Sequence, residues 1–150
     1  MKLKKASLAK KTIMNKKKIL EKLPVNFRHE KEYLSKTKFN CWSKLSKLKD
    51  DEIYLIINKN PLCTESRLKK IRAISIFICE LQITPPQAYL LLHCGIGSIK
   101  ALSVIDAHII EKRIGRLERS LNIKTNSPTS IKILKEWIKK AKSSRNNDPL

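Results

Sequence analysis

Apolar residues recur at helical spacing through most of this chain. Leu68, Ile71, Ile74, Ile78 and Leu81 fall on one stripe, widened by Ala73, Ile76 and Phe77. With Thr64 as N-cap and Glu65 in the first turn, the pattern predicts a long helix ending near Leu81. Upstream, Trp42, Leu45 and Leu48 have helical spacing and open the folded domain. Ile53, Ile56 and Ile57 predict a short helix over 51–58, capped by Asp50, with Asp51 and Glu52 in its first turn and Asn60-Pro61 ending it. Downstream, Thr84 followed by Pro85 opens an apolar helix to His93, and Ser98 caps a short helix over 98–105. Asp106 caps a helix to Leu121, whose Ile110, Ile114, Leu117 and Leu121 face inward. Ser127-Pro128 starts the last helix, with Ile131, Leu134, Ile138 and Ala141 on its core face and Trp137 widening it.

The predicted fold is all-α, with about six helices. The domain spans 41–142, between a basic, largely flexible extension over 1–40, whose Phe27, Tyr33 and Leu34 are placed to dock on the core, and a short frayed tail over 143–150. Two sub-units, about 42–82 and 83–121, each pair a short helix with a long one. Three glycines and 5% aromatic residues argue against an all-β fold.

Charge adds a partner class. The chain carries a formal +20, unevenly spread. Residues 1–40 hold 12 Lys and one Arg against three Glu, a net of +10, while 41–121 and 122–150 each contribute +5. Such an excess points to a polyanion: nucleic acid, an acidic partner or an anionic membrane surface. A general bias of the sequence toward Lys, Asn and Ile also raises the charge without any partner.

Cys41, Cys63, Cys79 and Cys94 lie 22, 16 and 15 residues apart, with no Cys-x-x-Cys, so neither a metal nor a disulfide framework is expected. Cys79 and Cys94 fall in apolar helical runs and are expected to be buried thiols. No secretory signal is visible at the start, where eight lysines fall in the first 18 residues. Residues 81–99 are uncharged, but two prolines, two glutamines, His93 and two glycines make them a poor membrane helix. A cytoplasmic protein without a transmembrane segment is expected.

Two of the three glycines, Gly95 and Gly97, flank Ile96 between the apolar helix and Ser98. This is the form of a helix-hairpin-helix turn, with Lys100 in the first turn of the second helix. Backbone N–H groups of Gly95, Ile96, Gly97 and Ser98 near a helix start would form an anion site. Arg113, Arg116 and Arg119 recur every three residues beside the next helix's apolar stripe, a spacing that can follow a phosphate backbone or form a solvated face. Gly115 inside that helix predicts a close packing contact. Arg67, Lys69, Lys70 and Arg72 crowd the N-terminal half of the long helix against its dipole, which marks either a functional site or a solvated face.

These residues carry a resemblance. The segments 67–77 (RLKKIRAISIF), 86–96 (PQAYLLLHCGI) and 113–119 (RIGRLER) resemble an uncharacterised family of helix-hairpin-helix proteins from photosynthetic bacteria, which share a Leu-Leu-His-x-Gly-Ile core. The resemblance covers about residues 42–140 and implies the fold more than any activity. Broader helix-hairpin-helix relatives bind DNA or RNA backbones without reading sequence. By that similarity Gly95, Gly97, Ser98 and Lys100 would touch phosphate. A single hairpin of this kind is usually a weak binder, and many members use the fold for protein contacts alone.

Catalytic chemistry is not expected. The 13 acidic residues are dispersed, and the one cluster, Asp50-Asp51-Glu52, is explained by helix capping. His29, His93 and His108 have no nucleophile or carboxylate at motif spacing, and His93 reads as a core histidine. No phosphate-binding glycine loop and no cofactor motif are present. The expected function is non-enzymatic backbone binding of duplex DNA or RNA through the hairpin and the Lys-rich tail. The rival expectation is a protein-interaction adaptor with a structural hairpin. Exposed apolar residues on the hairpin helices would favour the adaptor; a cationic face joining Lys100 to Arg113, Arg116 and Arg119 would favour the nucleic acid.

Overall fold

The computed structural model describes residues 23–121 and 130–146. Among them the chain is all-helical, with eight α-helices and no strand. A 3-10 turn at Val25–Phe27 leads into α1 (Arg28–Ser35), followed by α2 (Trp42–Leu45), α3 (Asp50–Lys59) and α4 (Glu65–Leu81). Then come α5 (Pro85–His93), α6 (Ile99–Val104), α7 (Ala107–Leu121) and α8 (Ile131–Asn146). Residues 1–22 of the expected extension and the Ser127-Pro128 helix start lie outside the described residues.

The chain divides into two compact units, with the boundary after Arg72 rather than in the loop before Thr84. The reason is visible in α4, which runs through the boundary. Its N-terminal half is bonded to residues between Glu30 and Leu62, and its last turn to α8.

In the first unit, the docking open to Phe27 and Leu34 is realised. Leu23, Phe27 and Leu34 are buried, so the segment around α1 belongs to a packed core and not to the extension. Glu30 on α1 is also fully buried. Its Oε1 accepts from Arg67 Nε, while Arg67 Nη2 donates to the Leu62 carbonyl at 2.9 Å. Arg72 Nη1 donates to the Leu48 carbonyl (3.0 Å) and to Asp50 Oδ1 (2.8 Å). Two of the four cations that oppose the α4 dipole are therefore structural clasps, and Lys69 pairs with Glu65 at 2.8 Å. Asp50 is spent on Arg72, so the cap of α3 is Lys49, whose backbone N–H is met by Glu52 Oε1 at 3.1 Å. Ile53 and Ile56 are buried and Ile57 half-buried.

The second unit follows the local signals closely. The first unit shares one such local cap, at the start of α4, where Thr64 Oγ1 accepts from Arg67 N. Thr84 and Gln87 form a reciprocal capping box on α5, at 3.3 and 3.0 Å. Asp106 Oδ1 accepts from His108 N at 2.7 Å at the start of α7. Ser130 caps α8, and α6 and α7 both pack against α8. Leu102, Ile110, Ile114, Leu134, Trp137, Ile138 and Ala141 are buried. The helix α8 continues to Asn146, into the segment read as a tail, and Ser144 Oγ donates to Glu80 Oε2 at 2.7 Å.

Four local expectations are corrected. Cys79 is exposed, because it lies on the outer side of α4, whereas Cys94 is buried. His93 is exposed and stands edge-on to Tyr89, with ring centroids 4.2 Å apart, so it is not a core histidine. A Cβ at Gly115 would meet nothing within 4 Å, so no close contact requires that glycine. Leu117 is half-buried, not fully inward.

Candidate nucleic-acid interface

The turn between α5 and α6 is built by two opposed helix ends. The α5 apolar run ends at Cys94, and Gly95 takes φ +84°, a left-handed conformation that glycine adopts without Cβ strain. Gly95 N donates to the Leu92 carbonyl and Ile96 N to the Leu91 carbonyl, both at 3.1 Å. This is the paired bonding of a Schellman motif, completed by its apolar contact pair: Ile96 and Leu91 are both buried. Two of the amides expected to face an anion are thus turned back onto α5, and Ile96 is an anchor of the turn, 1% exposed.

Past Ile96 the backbone turns outward. Gly97 and Ser98 are exposed, and a Cβ at Gly97 would find open space. Ser98 Oγ accepts from Ala101 N at 3.1 Å and so caps α6. Lys100, in the first turn of α6, is exposed. The outward part of the predicted site is therefore Gly97, Ser98 and Lys100.

Arg113 is brought to the turn, but in a different role. Its Nη1 donates to the Cys94 carbonyl at 2.9 Å and lies 3.8 Å from where a Gly95 Cβ would stand. A cation here satisfies an orphan carbonyl at the negative end of α5. Arg116 and Arg119 are exposed on α7. A three-residue step turns a helix by about 300°, so the three arginines fan over roughly 120° and do not form one row. Burial pushes the Cys94 thiol up to about 11, against the opposing pull of Arg113.

The apolar periodicity of α8 points to its core face alone and leaves its lysines without a role. Lys135, Lys139 and Lys142 line a groove with His108 at the start of α7, above Ile105, Ala107 and Ile138. The signal was the lysine spacing i, i+4, i+7, which places cations along one side of a helix.

Among the described residues no group of His, Cys, Asp and Glu is placed to hold a metal ion, and no helix is long and apolar enough to cross a membrane. No curated protein and no solved structure matches the chain. A family profile does match, over residues 24–144, and that span takes in α1, the glycine turn and the lysines of α8. By that match the chain belongs to the family described as Domain of unknown function (DUF4332).

Proposed function

We propose that this chain is a non-enzymatic protein that binds the phosphate backbone of nucleic acid without reading its sequence. The turn at Gly95–Ser98 acts as a helix-hairpin-helix element whose outward residues, Gly97, Ser98 and Lys100, meet phosphate. Arg116 and Arg119 add charge, and Arg113 holds the turn in shape. The carrying observation is the state of the cations in the second unit. Lys100, Lys112, Arg116, Arg119, Lys132, Lys135, Lys139 and Lys142 make no ion pair among the described residues. Unpaired surface cations release condensed counterions when they meet a polyphosphate, the sequence-independent source of affinity. The lysines of the N-terminal segment enlarge the same term.

The test is fluorescence anisotropy of the full chain on a short DNA duplex, an RNA duplex and single strands across a salt series. Lys100→Glu is expected to weaken duplex binding several-fold and to flatten the salt slope by about 1, since each phosphate contact contributes about 0.9. Unchanged binding would sink the hairpin as a contact. Retained binding that disappears only when the eight lysines of residues 1–18 become glutamine would assign it to the N-terminal segment alone.

One observation favours a second reading, a protein-interaction adaptor. Val104 at the end of α6 is 71% exposed and Ile109 on α7 is 44% exposed. Val104→Ser with Ile109→Ser leaves duplex binding unchanged if the first reading holds.

A further inference from the structure

We infer that the groove between the start of α7 and the face of α8 is a second contact for a nucleic-acid backbone, with Lys135, Lys139 and Lys142 holding phosphates. The inference rests on the proposed function and adds a site that lies away from the glycine turn. Ile105, Ala107 and Ile138 line the groove beside the three lysines and His108. Ile138 and Ala107 are buried and Ile105 half-buried, so their surface forms an apolar floor. Ammonium groups above an apolar floor match a sugar–phosphate chain, whose anionic oxygens and carbon-rich sugars alternate.

The lysine arrangement is ordered. At about 100° per residue, Lys132, Lys135, Lys139 and Lys142 fall within an arc of roughly 80°. At about 1.5 Å per residue they extend over some 15 Å of helix. The core side of α8 carries the buried Leu134, Trp137 and Ala141, with Ile138 at its edge beside the groove, so the cationic side is held outward by the core. No ion pair among the described residues quenches these lysines. One carboxylate lines the groove, that of Asp106, and it is committed to the His108 backbone N–H at 2.7 Å. The α7 amides are not the recognition element: Ile109 N and Ile110 N donate to the Asp106 carbonyl. Affinity must come from side-chain charge, which predicts binding without sequence preference and with a steep salt dependence.

The experiment measures salt slopes for the full chain on a fluorescein-labelled DNA duplex. Lys135→Gln, Lys139→Gln and Lys142→Gln are combined in one variant, with circular dichroism to verify helix content. A control combines Lys44→Gln, Lys47→Gln and Lys59→Gln, equal in charge change and exposed in the first unit. The groove variant is expected to lower the slope by about 2 to 3 and affinity at moderate salt by tenfold or more. The control variant should change both far less, and lysine-to-arginine changes at the groove should retain binding. Equal losses in groove and control variants would overturn the groove assignment. So would an unchanged slope in the groove variant while Lys100→Glu still weakens binding, and then the hairpin reading survives. Absence of duplex binding by the unaltered chain overturns both. Displacement of the duplex by polyglutamate at equal charge would identify the groove as a seat for acidic protein instead.

Discussion

The two units use positive charge in opposite ways. In the first, Arg67 and Arg72 are drawn inward, one onto the buried Glu30 and the Leu62 carbonyl, the other onto Asp50 and the Leu48 carbonyl. All five ion pairs found between described residues join positions from Glu30 to Arg72. In the second unit, Arg113 and Lys140 cap the carbonyl ends of α5 and α4, and Lys100, Lys112, Arg116, Arg119, Lys132, Lys135, Lys139 and Lys142 are exposed and make no ion pair among the described residues. A net charge is therefore a poor guide to a binding surface until each cation's partner is known. The same residue types hold one unit together and leave the described surface of the other cationic.

The largest effect should come from breaking the inward set. Arg67→Met strands a buried carboxylate, Glu30, whose Oε2 already has no hydrogen-bond partner. Losing one member of such a pair costs about 3 kcal/mol, at the low end because Arg67 is partly exposed. Urea denaturation measures it, and Glu30→Gln in the same chain should recover much of the loss. A cost below about 1 kcal/mol would mean that the pair is not an anchor. Duplex binding should be unaffected.

The glycines give a smaller and sharper contrast. Gly95→Ala must adopt φ +84° with a Cβ and should cost about 1 to 2 kcal/mol. Gly115→Ala, in open space within α7, should gain about 0.5 to 1 kcal/mol. Gly97→Ala should leave the unfolding midpoint nearly unchanged while weakening duplex binding. If it weakens neither, phosphate does not approach the turn.

Acid gives the smallest effect, confined to the first unit. The Arg72 guanidinium holds the Asp50 carboxyl below its ordinary 3.8, and Lys69 holds Glu65 below 4.5. A carboxyl lowered by folding contributes stability above its unfolded value, and that contribution is lost as pH falls through the folded one. Denaturation midpoints should therefore decline below about pH 4.5, and Asp50→Asn should flatten the decline.

Most of the second unit was legible because its instructions are local. Thr84, Ser98 and Asp106 each cap the helix that starts beside them, and the structure places those caps where the sequence did. The first unit was harder because its logic is remote. Asp50 reads as a cap until Arg72, 22 residues on, takes its carboxylate. The segment around α1 reads either as a charged extension or as a piece docked through Phe27 and Leu34, until Glu30 is matched to Arg67. Within the turn, two close glycines point to an anion cradle, yet a single positive φ turns two of the amides inward. His93 and Cys79 were misplaced for another reason: a nearly continuous apolar run has no phase from which to read the outward side.

The span between Glu30 and Arg67 also sets an order of events during synthesis. Glu30 leaves the ribosome 37 residues ahead of its partner. At about 5 to 20 residues per second, the carboxylate waits roughly 2 to 7 s before Arg67 exists to neutralise it. Burying it alone in that interval would be unfavourable. Burial of Glu30 against its guanidinium partner therefore becomes open to the first unit only after the beginning of α4 has been translated.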